Sequence, residues 1–392
     1  MNSKAKIIGV GMVKFQKPSQ NEPYEIMAKK AIQEALNDAG IEIKNIEQAY
    51  ASYVYGDSTC GQTALYKVGM TGIPIINVNN NCSSGSTALF LARQAVESGV
   101  VDCALAFGFE EMKKGAIGSI WNDRTSPLDE FDQKLKEIAP DAPDAPIALR
   151  TFGAAGNAYI EKYGVNPDIF YKVAVKTRSH AVYNPYAIFN KPLTLDEVKH
   201  APIVYPNYLT RLCACPPSCG AAAVVVASEG FIKKHGIHDA ITIYAQEMAT
   251  DTKKSFDDPI NLVGKDMTHR AAMAVYEKAG IGPEDVDVVE LHDCFTPNEI
   301  ISYEGLELCP EGESEKFIND GDNTYGGKVV INPSGGLMSK GHPLGATGLA
   351  QCTELIWQLR NQAGARQVEG AKIALQHNLG LGGAAIVTMY GK

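Results

Sequence analysis

The sequence predicts a duplicated α/β fold: two similar halves with mostly parallel sheets and layered helices, and a lid-like insertion in the first half. Two observations carry this expectation. A helix–turn–strand pattern occurs twice in the same order, and strand-like apolar runs alternate with amphipathic helices. A parallel strand pair needs a long crossover, normally a helix, so the alternation implies sheets covered by helices.

Residues 31–50 (AIQEALNDAGIEIKNIEQAY) and 271–290 (AAMAVYEKAGIGPEDVDVVE) each read as an Ala-rich amphipathic helix, an Ala-Gly stop, a polar turn and an apolar strand. Residues 73–80 form a strand-like run. Cys82-Ser83-Ser84-Gly85-Ser86 then opens a helix with apolar Leu89, Ala92 and Val96. Its counterpart is Gly341-His342-Pro343-Leu344-Gly345-Ala346, which leads into Leu349, Cys352, Leu355 and Leu359. A strand follows each helix, at 102–109 and 372–376. The first half is therefore expected at 1–112 with 221–250, and the second at 251–392. Residues 113–220 have no counterpart of similar length. They include a Pro-rich stretch at 139–146 and an aromatic-rich one at 183–208. Following directly on the Cys82 unit, this insertion reads as a substrate-covering lid in preference to a surface elaboration with its own packing.

Composition removes several classes of function. A chain of 392 residues, 45% hydrophobic and 21% charged, buries a core without disulfide staples. Its longest apolar runs, such as Ala221–Ala227, fall far short of the ~20 residues of a membrane span, so no membrane insertion is expected. The start, Met1 to Lys6 and then a short apolar run to Val10, does not resemble a signal peptide. Lys and Arg total 36 against 45 Asp and Glu, a net −9, which argues against a general nucleic-acid binder. An anionic small substrate stays open, because local basic groups matter more than the total. The nine cysteines are odd in number and lack an export signal, so a reducing, cytoplasm-like compartment is expected. Cys213, Cys215 and Cys219 have no fourth Cys or His close in sequence. They read as small buried residues, and no metal is expected. Neither G-x-G-x-x-G after the first strand nor G-x-x-x-x-G-K-[ST] occurs, which disfavours a nucleotide-dependent enzyme.

In open α/β folds, ligands bind at the carboxyl ends of strands. Four such junctions, 79–85, 290–298, 340–348 and 376–383, supply Cys82, His292 with Cys294, His342, and His377. A lone Cys or His is usually a packed core residue, but this set shares one end of a duplicated fold. Cys82 is the best nucleophile candidate, since a helix start favours a thiolate. His342 precedes Pro343, a good first helical residue, so its ring also stands at a helix mouth.

Asn81-Cys82-Ser83-Ser84-Gly85, His292-Asp293-Cys294-Phe295, Gly341-His342-Pro343-Leu344-Gly345-Ala346-Thr347-Gly348 and His377-Asn378-Leu379-Gly380 together resemble the four catalytic loops of the thiolase superfamily. The stretches 56–62, 321–327 and Asn332-Pro333-Ser334-Gly335-Gly336 are similar to its sterol-carrier-protein-X-type branch. The resemblance runs from about residue 5 to 390 and implies the layered αβαβα thiolase fold. It also implies thiolytic cleavage of a 3-oxoacyl-CoA to a shorter acyl-CoA plus acetyl-CoA or propanoyl-CoA, or the reverse condensation, in lipid metabolism. Cys82 matches the acylated nucleophile, and His342 the histidine that activates it and helps bind the oxyanion. His292 stands where ordinary thiolases have the Asn of Asn-Glu-Ala-Phe, and His377 about where they have a second, acid/base cysteine. The sterol-carrier-type branch moves that acid/base to the second loop, here Cys294. His377 and Gly380 are left as last-loop contacts. Cys219-Gly220 replaces the usual Asp-Gly.

The resemblance further implies coenzyme A as substrate and no bound cofactor. Lys113, Lys114, Arg124 and Arg150 are candidates for its phosphates. It implies a homodimer or tetramer through the strand near 75–80, whose Asn77, Asn79 and Asn80 are expected to satisfy one another across the two-fold axis. A stand-alone enzyme is expected, with a lipid-transfer domain or a small partner protein as the alternative. The ending Tyr390-Gly391-Lys392 carries no Ser-Lys-Leu address, so a cytoplasmic home is expected over a peroxisomal one. Two rivals stand beside the thiolase reading. One is an aldolase-type lyase on steroid side-chain CoA esters, against which the retained Cys82 argues. The other is a non-catalytic acyl-CoA or lipid binder, which would need no paired thiols.

Overall fold

The computed structural model describes residues 5–115 and 118–392. Twelve strands occur among them: β1 (Lys6–Met12), β2 (Gln48–Ser52), β3 (Ile75–Val78), β4 (Cys103–Glu111), β5 (Ile203–Tyr205), β6 (Leu209–Thr210), β7 (Cys219–Ala227), β8 (Ile241–Ala249), β9 (Val288–Glu290), β10 (Val330–Ile331), β11 (Ile373–Gly380) and β12 (Ala384–Gly391). All but the small β5–β6 pair join in the order β10-β9-β11-β12-β8-β1-β7-β4-β2-β3. Read outward from the centre, the first half runs β1-β7-β4-β2-β3 and the second β8-β12-β11-β9-β10. These orders are the same by position in the chain, so the duplication is borne out strand for strand. The halves meet where β1 pairs antiparallel with β8, Lys6 opposite Thr242 and Ile7 opposite Ile241.

The outer strands are parallel, β2 with β3 and β4, and β9 with β10 and β11. The inner pairs, β4–β7 and β11–β12, are antiparallel. The reason lies in the connections. β11 and β12 form a hairpin closed by Leu381, Gly382 and Gly383, with Gly382 at φ 89° and Gly383 at φ 107°. The equivalent hairpin of the first half is opened between Glu111 and Cys219, and the insertion fills that opening. Its main helices are Asp129–Ile138, Ile147–Tyr163 and Asp168–His180.

Side-chain alternation builds the layers. On β4, Cys103, Leu105, Phe107 and Phe109 pack with the helix Tyr24–Ala39. Ala104 and Ala106 face the opposite way, onto the helices Ser84–Glu97 and Thr347–Leu359. On the far side of those two helices lie Val288 and Ala374 of the second half, whose other face packs on the helix Lys265–Ala279. This is the αβαβα arrangement. Thr347–Leu359 is buried almost all round, as a helix between two sheets must be. The repeated Ala-Gly stops are structural equals: Gly40 (φ 65°) and Gly280 (φ 67°) both end their helices left-handed.

β3 lies at one edge of the sheet. Asn77 of this strand and the following Asn79 and Asn80 make hydrogen bonds inside the chain. Asn77 accepts the Gly61 N–H at 3.0 Å and donates to Gln62 at 2.9 Å. Asn79 accepts the Asn81 N–H at 3.0 Å, and Asn80 donates to Thr87 at 3.1 Å. No helix of the described residues is long and apolar enough to cross a membrane.

Candidate active site

The carboxyl ends of β9 and β11 and the starts of the two central helices converge on a cavity of about 490 Å³, lined by Cys82, His292, Cys294 and His342. Leu128, Ile147, Leu149 and Phe152 of the insertion supply an apolar wall. One reactive atom from each of Cys82, His292 and His342 lies within 4.8 Å of the other two. The two rings meet edge to face, with centroids 4.9 Å apart and planes at 87°. The same three atoms are close enough together to hold a metal ion.

Cys82 is aimed by strain and close packing. Asn81 before it sits at φ 51°, and its side chain donates to the Leu381 carbonyl at 3.0 Å. A Cβ on Gly380 would overlap the Asn80 carbonyl, so Gly380 acts by letting β11 approach this loop. Gly380 itself does not line the cavity, whereas its neighbours Leu379 and Leu381 do. Burial, and then the nearby Glu110 carboxylate, push the Cys82 thiol up to about 12. Its own backbone N–H and that of Leu381 work in the opposite direction. The helix-start advantage expected from the sequence is therefore outweighed by desolvation, and Cys82 needs a base to ionise.

His342 has the geometry of that base. Its backbone N–H donates to Ser218 Oγ at 2.9 Å, which ties it to the end of the insertion. The Thr347 hydroxyl gives its hydrogen to the Pro343 carbonyl at 2.9 Å, so it accepts from His342 Nδ1–H at 2.7 Å. Nε2 is left as a lone pair, buried and without a hydrogen-bond partner among the described residues. Burial holds this imidazole down to about 3, so it is neutral at ordinary pH.

Cys294 is 5% exposed, and burial pushes its thiol well up, with the neighbouring Cys215 and Cys82 adding to the effect. Cys215 is a functional-site residue that the sequence did not reveal. Ala214 and Phe295 form an antiparallel bridge, which sets Cys215 opposite Cys294, and the Cys215 N–H donates to the Cys294 carbonyl at 2.9 Å. Both thiols line the cavity. The C-x-C-x3-C run is thus no cluster: Cys213 packs by Thr210, and Cys219 donates to the Met112 carbonyl at 3.5 Å.

His377 stands behind the cavity, fully buried, and does not line it. Thr268 Oγ1 lies 2.9 Å from its Nε2, and the His292 N–H reaches its Nδ1 at 3.5 Å. Both ring nitrogens are engaged, so it supports the His292 loop. Among the basic candidates, Arg150 is half-enclosed by acid, paired with Asp132 and 3.9 Å from Asp144. It is a structural group of the insertion, away from the cavity lining. Arg124 is exposed, bound to Asp123 at 2.7 Å and stacked over Trp121. Lys113 and Lys114 line a second, polar cleft. Lys114 also lines a third with Lys17, and that cleft shares Gly115, Pro216 and Pro217 with the cavity at Cys82. The cation on the cavity itself is Arg211, exposed and with no ion-pair partner among the described residues.

Comparison with known proteins agrees with this geometry. Residues 6–207 match the family model for the thiolase N-terminal domain, and 248–391 that for the thiolase C-terminal domain-like family. Sterol carrier protein 2 of Gallus gallus is 56% identical over 395 residues, covering 100% of this chain and 72% of that protein. Non-specific lipid-transfer protein-like 2 of Caenorhabditis elegans is 44% identical, covering 99% and 96%. Among solved structures, the Ltp2-ChsH2(DUF35) aldolase superposes with a TM-score of 0.83 at 21% identity, covering 99% of this chain and 97% of that one. That likeness speaks for the fold.

Proposed function

The chain belongs to the thiolase family, and we propose that it is a CoA-dependent acyltransferase that cleaves 3-oxoacyl-CoA thioesters, or runs the reverse condensation, through an acyl group on Cys82. The observation that carries the reading is the meeting of Cys82, His292 and His342 within 4.8 Å, with Cys294 on the same cavity wall.

The chemistry follows from the atoms. His342 Nε2 takes the Cys82 proton, and the thiolate attacks the 3-keto carbon. The oxyanion forms beside the two imidazoles, where a fixed donor is worth most because water is excluded. Collapse breaks the C2–C3 bond, and Cys294 gives its proton to the enolate carbon of the departing acetyl-CoA or propanoyl-CoA. CoA then enters and returns a proton to the Cys294 thiolate. Its own thiolate takes the acyl group, and Cys82 recovers its proton from His342. One covalent intermediate between two substrates predicts ping-pong kinetics.

The apolar wall from the insertion supports its role as a cover over the acyl chain, with chain length set by Leu128, Ile147, Leu149 and Phe152. Arg211, Lys17 and Lys114 are the cations placed to meet CoA phosphates. The open edge of β3 supports a homodimer joined there, and the unpaired cysteines suit a cytoplasm-like compartment.

Incubation with acetyl-CoA and intact-mass measurement tests this reading. Wild type should gain one acetyl group, and Cys82→Ala none. Cys294→Ala should keep the adduct while thiolysis falls ~10²–10⁴-fold, the usual worth of an acid–base group. Cleavage of a CoA ester without free CoA would point instead to a lyase. Absence of any adduct on wild type would point to a binder.

A further inference from the structure

The tautomer of His292 is set by one side chain. Asn378 follows His377 on β11, and its Nδ2 lies 3.2 Å from the Cys82 carbonyl and 3.1 Å from His292 Nδ1. A backbone carbonyl can only accept, so the amide must turn its NH₂ toward Cys82. The second hydrogen of the same NH₂ then points at His292 Nδ1, which must accept it. The amide oxygen on the other side is buried with no partner, so nothing there competes to turn the group over. Turning it would set two oxygens against each other at the Cys82 carbonyl.

We propose that Asn378 is a positioning residue that locks His292 with its proton on Nε2, making it a fixed hydrogen-bond donor in the cavity. His342 is locked the opposite way by Thr347, with a bare Nε2. The two facing imidazoles are therefore not interchangeable: His342 removes a proton, and His292 supplies an N–H to the oxyanion. Because Asn378 also holds the Cys82 carbonyl, one amide sets the donor and the nucleophile's backbone together. This rests on the proposed acyl transfer for its consequence, but the tautomer itself can be read without any turnover.

The test uses full-length protein with ¹⁵N-labelled histidine rings, His292 being assigned by its loss in His292→Gln. In wild type near pH 7.5, His292 should show a protonated Nε2 and a bare Nδ1. Asn378→Asp offers only acceptors to His292 Nδ1, so the proton should move to Nδ1 or the ring should become doubly protonated. Turnover should fall ~10²–10³-fold, the usual loss for one oxyanion donor, with KM little changed. The kcat–pH profile should gain an ionisation in the neutral range, which a packing defect would not create. A wild-type His292 with its proton on Nδ1 overturns the proposal whether or not any variant folds. So does an Asn378→Asp protein with an unchanged tautomer. A correct tautomer in a protein that never acylates Cys82 would instead overturn the acyl-transfer reading and leave the role of Asn378 standing.

Discussion

The Glu110 carboxylate accepts the backbone N–H of Gly345 at 3.0 Å, joining β4 of the first half to the His342 loop of the second. The same carboxylate accepts the N–H groups of Val54 at 3.1 Å and Tyr55 at 3.0 Å. Burial nevertheless pushes it up to about 7, and its charge helps hold the Cys82 thiol protonated. One buried acid thus fixes the loops around the site and opposes ionisation of Cys82.

Glu110→Gln separates these two effects. At pH 8 the wild-type carboxylate is largely ionised, so removing its charge should make Cys82 easier to ionise. Alkylation of Cys82 by iodoacetamide should speed up several-fold. A single amide oxygen cannot serve three N–H groups as two carboxylate oxygens do, and an unsatisfied buried donor costs about 1–3 kcal/mol. The thermal midpoint should fall while thiol reactivity rises. Unchanged or slower alkylation would show that the charge does not reach Cys82.

Two arginines of the insertion, Arg211 and Arg150, should behave differently. Arg211 lines the cavity without an acidic partner among the described residues, whereas Arg150 is spent on Asp132. Arg211→Ala should raise KM for acyl-CoA roughly tenfold or more, the loss of a hydrogen bond to a charged group being about 1.5–3 kcal/mol, with little change in kcat. Arg150→Met should leave KM alone and lower stability, because it removes a buried guanidinium from Asp132 and leaves that carboxylate Lys136 as its remaining ion-pair partner among the described residues. Steady-state kinetics and thermal melts of both variants decide the matter. An equal rise in KM for Arg150→Met would reverse the assignment.

What could be read from sequence was whatever repeats or sits at a strand end. The two Ala-Gly helix stops, and the placing of Cys82, His292, Cys294 and His342 on three strand-end loops, needed no coordinates because local pattern dictates them. Contacts between distant segments were invisible. Cys215 faces Cys294 only because 214 and 295 form a bridge, and Glu110 matters only because Gly345 comes to it. Arg150 looked available since its acidic partner Asp132 lies one helix earlier, with nothing in the spacing to mark the pair. His377 had the right residue type at the right loop. The structure turns both of its nitrogens to structural partners, which only a full hydrogen-bond accounting reveals.

That accounting makes His377 a test of acid stability. Fully buried, it is held down to about 3 by burial, whereas an unfolded histidine titrates near 6.5. Between those values the unfolded chain binds the extra proton. The stability tied to neutral His377 is therefore complete above pH ~6.5 and is lost as pH falls toward 3. The slope approaches 1.36 kcal/mol per pH unit, so going from 6.5 to 5 costs about 2 kcal/mol. Glu110 works against this trend, since an acid raised to about 7 stabilises the fold as pH falls from 7 toward 4.5. Total stability mixes both signs, so the comparison has to be made against His377→Gln. Glutamine removes the titration while keeping a group that can donate to Thr268. At pH 7.5 the variant should be the less stable protein by urea unfolding, having lost part of the Thr268 and His292 bonding. At pH 5 that gap should shrink by about 2 kcal/mol, or reverse, because only wild type still resists protonation. A gap that stays constant from pH 7.5 to 5 would mean that His377 titrates alike in the folded and unfolded chain, and that it does not serve as a neutral buried support for the His292 loop.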